Sequence, residues 1–133
     1  MVKFMLKKTQ RIFLNIKILI IISILLTPCF CYSEWNKQDT ILETTWLIIH
    51  IIDYRQTLFI SDNYNKYYER NPILGKYPSK DKINYYMLTT GLIHPVVSYI
   101  LPKKYRTMWQ GITILGSGYC VLNNYSIGIK MEF

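Results

Sequence analysis

The sequence predicts a mainly α-helical protein: a leader segment, then a small bundle of three long helices, then a short C-terminal strand. Three observations carry this. The chain opens on cations followed by an apolar run at residues 18–26, with no acidic residue before Glu34. Apolar residues then recur at helical spacing in three stretches separated by Pro, Gly, Asn and Ser. Only at residues 125–133 does the spacing change to two. The 133 residues suffice for one domain, and a composition that is half hydrophobic excludes a disordered chain.

The leader contains Lys3, Lys7, Lys8, Arg11 and Lys17, an apolar core broken only by Ser23, and then Thr27-Pro28-Cys29-Phe30-Cys31-Tyr32-Ser33. A basic start, a short apolar core and small residues before a polar stretch describe a secretory signal over residues 1–33. Cleavage is expected after Cys31 or Ser33. The alternative is an uncleaved anchor, because Phe13 and Leu14 lengthen the apolar stretch. Acylation at Cys29 or Cys31 is disfavoured by the preceding Pro28 and Phe30. The whole chain has a net charge of +8, but residues 34–133 hold eleven basic and eight acidic residues, a net +3. The charge that suggests nucleic acid thus belongs largely to the leader, and nucleic-acid binding is not expected. Only Cys120 lies beyond the leader, so no internal disulfide is expected there.

Residues 34–133 read as one helical, membrane-associated domain. A first helix is expected at about 41–60, with Thr40 as its cap and Glu43 completing a capping box. A polar loop follows, with a short helical piece at residues 67–70. Asn71, Pro72 and Gly75 then form a turn, since Pro72 disfavours helix at Asn71. A second helix is expected at about 83–101, with Ser79 as a possible cap before it and a kink at Pro95. Residues 101–106 form a connection to a third helix at about 107–122. The alternation of Tyr125, Ile127, Ile129, Met131 and Phe133 predicts the terminal strand.

Each helix carries a polar stripe. The first has Glu43, Trp46, His50, Asp53 and Thr57; the second Thr90, His94 and Ser98; the third Gln110, Thr113, Ser117, Cys120 and Asn124. Gly111 and Gly118 are expected to allow close helix approach. A soluble bundle would point such stripes at water. The apolar arc of the first helix is wider than its polar one, however, and one core of this size cannot bury three such arcs. The reading preferred is a membrane bundle of transmembrane helices with polar stripes turned inward, and its main variant is a helix lying flat in the interface. The lipid partner would have anionic headgroups, with Tyr and Trp109 as interfacial anchors.

The sharpest constellation is His50-x-x-Asp53 with His94 and Glu69. Two imidazoles and a carboxylate suit zinc or iron, which makes a membrane-embedded metal-binding protein or metal-dependent enzyme the rival reading. The structural alternative pairs His50 with Asp53, and His94 with a carbonyl or Ser98. Without such a metal no cofactor is expected. No GxSxG, Walker or GxGxxG motif occurs, so enzyme activity is not the preferred reading. Gly116-Ser117-Gly118 reads as packing, and Cys120 as a small buried apolar residue.

The elements His50-x-x-Asp53-x-x-Gln56-Thr57, Glu69-x-Asn71-Pro72-x-Leu74-Gly75 and Asn124-Tyr125-Ser126 together resemble small uncharacterised bacterial envelope proteins, over about residues 35–133. The resemblance implies a small helical membrane protein and brings no activity with it. The expectation is an exported structural or interaction component of the bacterial cell envelope. The inner membrane is the first choice, with the periplasm or outer membrane as alternatives and a membrane protein or a second copy as partner. A small outer-membrane barrel ending in Phe133 is a further alternative, although some 100 residues barely hold eight strands of about 10 residues each.

Overall fold

The computed structural model describes residues 34–131, so the leader and its expected cleavage lie outside the described residues. Three helices form the bundle: α1 (Lys37–Asp62), α2 (Lys80–Ile100) and α3 (Lys103–Ser126). Each begins three or four residues before its expected start; α1 and α3 also end later than expected, while α2 ends at Ile100, one residue short. The cap of α1 lies a turn earlier than predicted. Asn36 Oδ1 accepts from Asp39 N at 3.0 Å, and Asp39 Oδ2 accepts from Asn36 N at 3.0 Å, closing a capping box. Thr40 instead accepts from Trp35 Nε1, which leaves Glu43 free for another role. Ser79 caps α2 as expected, and α2 runs through Pro95, which forgoes one backbone bond inside a long helix. Pro102 has its φ fixed at −54° and starts α3 directly, so the connection shrinks to residues 101–102.

The contacts set the topology. Arg106 and Gln110 at the start of α3 meet Asp39 and Glu43 at the start of α1, and Asn124 meets Gln56 further along. These two helices therefore run parallel and share the largest contact. The late α2 residue His94 meets the early α1 residue Glu43, while Asn84 meets Tyr54, so α2 runs antiparallel to α1. Loop 63–79 makes the long return. Residues 67–70 are not helical there.

The 69–75 element explains its own sequence. Glu69 Oε1 accepts from the backbone N–H of Arg70 at 2.8 Å and of Asn71 at 2.7 Å. Asn71 Oδ1 accepts from Ile73 N, and its Nδ2 donates to Tyr86 Oη. Gly75 adopts φ +78° and its N–H closes the turn on Asn71 O, a conformation only glycine takes without strain. The turn delivers Leu74 into the apolar cluster with Ile83 and Met87.

The C-terminal strand does not form: no strand occurs among the described residues. Residues 125 and 126 end α3. Ile129 N–H bonds Asn124 O at 3.0 Å and Gly128 N–H bonds Tyr125 O at 3.1 Å, with Gly128 at φ +86°. This is a Schellman cap, and Ile129 is buried behind it. Alternation over a helix end and its cap imitated a strand. Three helices and no strand also set aside the barrel.

The transmembrane expectation is corrected too: no described helix is long and apolar enough to cross a membrane. Asp39, Glu43, Asp53 and Arg55 interrupt α1, and hydroxyl, amide and glycine residues dilute α3. Gly118 meets Ile49 at an ordinary 4.0 Å from a built Cβ position, whereas Gly111 faces open space.

Candidate functional site

The interior is polar. Buried apolar residues are Trp46, Ile60, Leu74, Ile83, Met87 and Ile129, while Asp39, Gln56, Thr57, His94, Ser98, Arg106 and Gln110 are buried as well. Most of these polar residues belong to one hydrogen-bonded spine. Arg106 Nη1 donates to Asp39 Oδ2 at 2.8 Å and its Nε to Ser98 O at 2.8 Å. Gln110 Nε2 donates to Asp39 O and to Glu43 Oε2. Glu43 Oε1 lies 2.7 Å from His94 Nδ1, and His94 Nε2 lies 2.8 Å from Thr113 Oγ1. Further along, Gln56 bonds Val121 O and Asn124.

Burial lowers the His94 pKa, against the opposing pull of its bond to Glu43. The imidazole is therefore neutral at neutral pH. The Glu43 carboxylate accepts from Nδ1–H, which leaves Nε2 as an acceptor facing the Thr113 hydroxyl, whose single proton is contested between Nε2 and the Trp109 and Gln110 carbonyls. A chain of carboxylate, imidazole and hydroxyl is chemically able to pass a proton. Here it locks three helices together, and Thr113 is further held against the carbonyls of Trp109 and Gln110.

The expected metal set is not brought together. The Trp46 indole lies stacked between the two imidazoles, 3.5 Å from the His94 ring and 4.7 Å from the His50 ring. His50 Nε2 donates to Met87 O at 3.0 Å, and Gly91 leaves room for that ring, since a Cβ there would come within 3.4 Å of it. Glu69 is committed to its turn. Among the described residues no three His, Cys, Asp or Glu side chains gather as a metal set. The expected structural pairings, His50 with Asp53 and His94 with a carbonyl or Ser98, are replaced by His50 with Met87 O and His94 with Glu43 and Thr113. The sequence puts Glu43 in a capping box as well as on the polar stripe, and Arg106 in a connection. Their only sequence signal is the helical register that puts Glu43 on the His50 face.

The three stripes do converge. Residues 46, 50 and 53 of α1, 90 and 94 of α2, and 113, 117 and 120 of α3 line one cleft of about 470 Å³. Cys120 is exposed rather than buried, and both desolvation and the negative charges of Asp53 and Glu69 raise its pKa. In the same cleft the Asp53 carboxyl is pushed up to about 6, mainly by desolvation and secondarily by Glu69. Ionised Asp53 therefore opposes folding. Its contribution to stability is full below pH 3.8 and is lost as pH rises through about 6. Asp53→Asn is expected to stabilise the fold at pH 7.5 by about 1–2 kcal/mol, a value below the full shift because the side chain is partly solvated, and to have little effect at pH 4. Chemical denaturation at the two pH values checks this, and equal effects at both would refute it.

No protein-family model matches the chain, and no curated protein or solved structure matches it.

Proposed function

We propose that this chain is an exported, membrane-associated component of a bacterial envelope, with a structural or binding role rather than a catalytic one. The observation that supports it is the inverted distribution of polarity. Ile41, Leu47, Ile48 and Ile51 of α1 are exposed, as are Leu88, Leu92, Ile93, Val96 and Ile100 of α2 and Ile112, Leu115 and Leu122 of α3. The Asp39–Arg106 pair and His94, by contrast, are buried. A soluble chain seldom leaves so many large apolar side chains in water. Acyl chains solvate such a surface while the polar groups satisfy one another inside.

Charge placement supports the same reading. Tyr67 in the loop bonds Gly128 O, so the loop and the end of α3 lie together. That end carries Lys66, Arg70, Lys76, Lys80, Lys82 and Lys130 against Asp62, Glu69 and Asp81. Lys66 sits over Tyr67, and Lys76 over Tyr68 and Tyr77, a pairing suited to the headgroup region. Since no described helix is suited to cross, the bundle is read as lying against the membrane, with its basic end toward anionic headgroups.

Flotation of residues 34–133 with vesicles tests this. Binding to phosphatidylglycerol vesicles should survive 0.5 M salt in part, because the apolar contact is insensitive to screening. Ile48→Asp combined with Leu92→Asp should reduce it at least about tenfold. Recovery of the protein free of vesicles at low salt would refute the reading.

A further inference from the structure

The geometry points to the 470 Å³ cleft between the three helices as a binding site for a small organic ammonium cation, held by the Asp53 carboxylate and the aromatic residues Tyr86 and Trp109 that share the lining. The inference goes beyond the membrane reading and does not depend on it. The volume falls within the range of small-molecule sites, about 300–1,000 Å³.

Charge selects the ligand. Among the described residues no Lys or Arg lines the cleft, although residues 34–133 hold eleven basic residues. Both imidazoles are committed, His50 to Met87 O and His94 to Glu43 and Thr113. The Asp53 carboxylate, by contrast, takes no hydrogen bond or ion pair from the described residues, and the Glu69 charge adds to the negative potential around it. A cation would remove both penalties at once.

Ligand geometry favours an ammonium over a metal ion. A metal needs three or four converging donors, and among the described residues no such group exists. An alkylated ammonium needs one carboxylate and aromatic surface, and the cleft supplies both. Apolar neighbours Met87, Ile93 and Ile112 suit the alkyl groups. The Trp109 indole N–H is buried with no acceptor, which suits a ligand carrying an oxygen beside its cation.

Choline, free or as a lipid headgroup, has this chemistry. The test is calorimetric titration of the full chain in neutral detergent with choline chloride, and separately with monomeric short-chain phosphatidylcholine. Choline should bind saturably with millimolar affinity. Asp53→Asn should weaken it at least about tenfold while the helical circular dichroism is unchanged, and Trp109→Leu about three- to tenfold. Asp81→Asn, which removes an exposed charge on α2, should have no effect. A phosphatidylcholine affinity at least about tenfold above that of choline assigns the headgroup of a lipid, and equal affinities assign a free amine. No saturable choline binding up to about 50 mM would overturn the proposal, as would affinity unchanged by Asp53→Asn, or stoichiometric zinc uptake that displaces choline. The titration uses no vesicles, so its failure is distinct from a failure of flotation.

Discussion

Arg106→Met is expected to cost about 3–5 kcal/mol of folding stability, the largest single effect in the bundle. The guanidinium and the Asp39 carboxylate are both almost fully buried, at 3% and 1% side-chain exposure. Removing the cation strands an anion in a site with little water. Asp39 also completes the α1 capping box, so the start of that helix loosens with it. Arg106 holds Ser98 O and Leu101 O as well, which ties the two-residue corner between α2 and α3 to α1. The same physics predicts partial rescue. Asp39→Asn in the Arg106→Met background removes the stranded charge and retains a capping side chain, so it should restore about 1–3 kcal/mol. Chemical denaturation followed by circular dichroism checks both. A loss below about 1 kcal/mol for Arg106→Met would mean that water reaches the pair in solution.

His94→Ala is expected to cost about 2–4 kcal/mol. It removes a ring stacked 3.5 Å from Trp46 and leaves Glu43 with Gln110 as its remaining polar partner. His94→Phe separates the two contributions: it keeps the stack, loses the hydrogen bonds to Glu43 and Thr113, and should cost about 1–3 kcal/mol. A pH signature accompanies it. The folded His94 pKa lies below 6.5, so the unfolded chain binds the proton more readily, and stability falls as pH drops below 6.5. Glu43 and His50 are the charged and titratable neighbours that set this balance. Asp53 contributes the opposite slope between pH 3.8 and about 6. The His94→Phe chain should therefore retain only the Asp53 trend, gaining stability on acidification where the parent gains less. Identical pH profiles for the two chains would show that His94 does not titrate with folding.

Much of the fold was legible in the residues. Three long helical periods, Ser79 as a cap, and the Asn71–Gly75 turn each rest on local rules, and local rules hold when no distant partner competes. The polar stripes were legible as faces, and they do meet around one cleft. The errors arose where two local patterns fitted the same residues. Thr40 with Glu43 is as good a capping box on paper as Asn36 with Asp39. Residues 125–131 alternate as a strand would, yet Gly128 at positive φ makes them a helix cap.

The site was less legible, because a metal set and a structural network use the same residue types. His50 and His94 lie on the predicted faces, but the indole between them is a matter of depth, which helical register does not encode. Asp39 and Arg106 lie 67 positions apart, and nothing local marks either as buried. The sequence by itself determined the helices, their turn and the direction of each stripe, because these follow from periodicity and backbone chemistry within a few residues. Tertiary structure alone decided which polar groups pair and which do not. Parallel packing of α1 and α3 brings Asp39 to Arg106, antiparallel packing of α2 on α1 brings His94 to Glu43, and the Asp53 carboxylate stays in the cleft without a partner among the described residues.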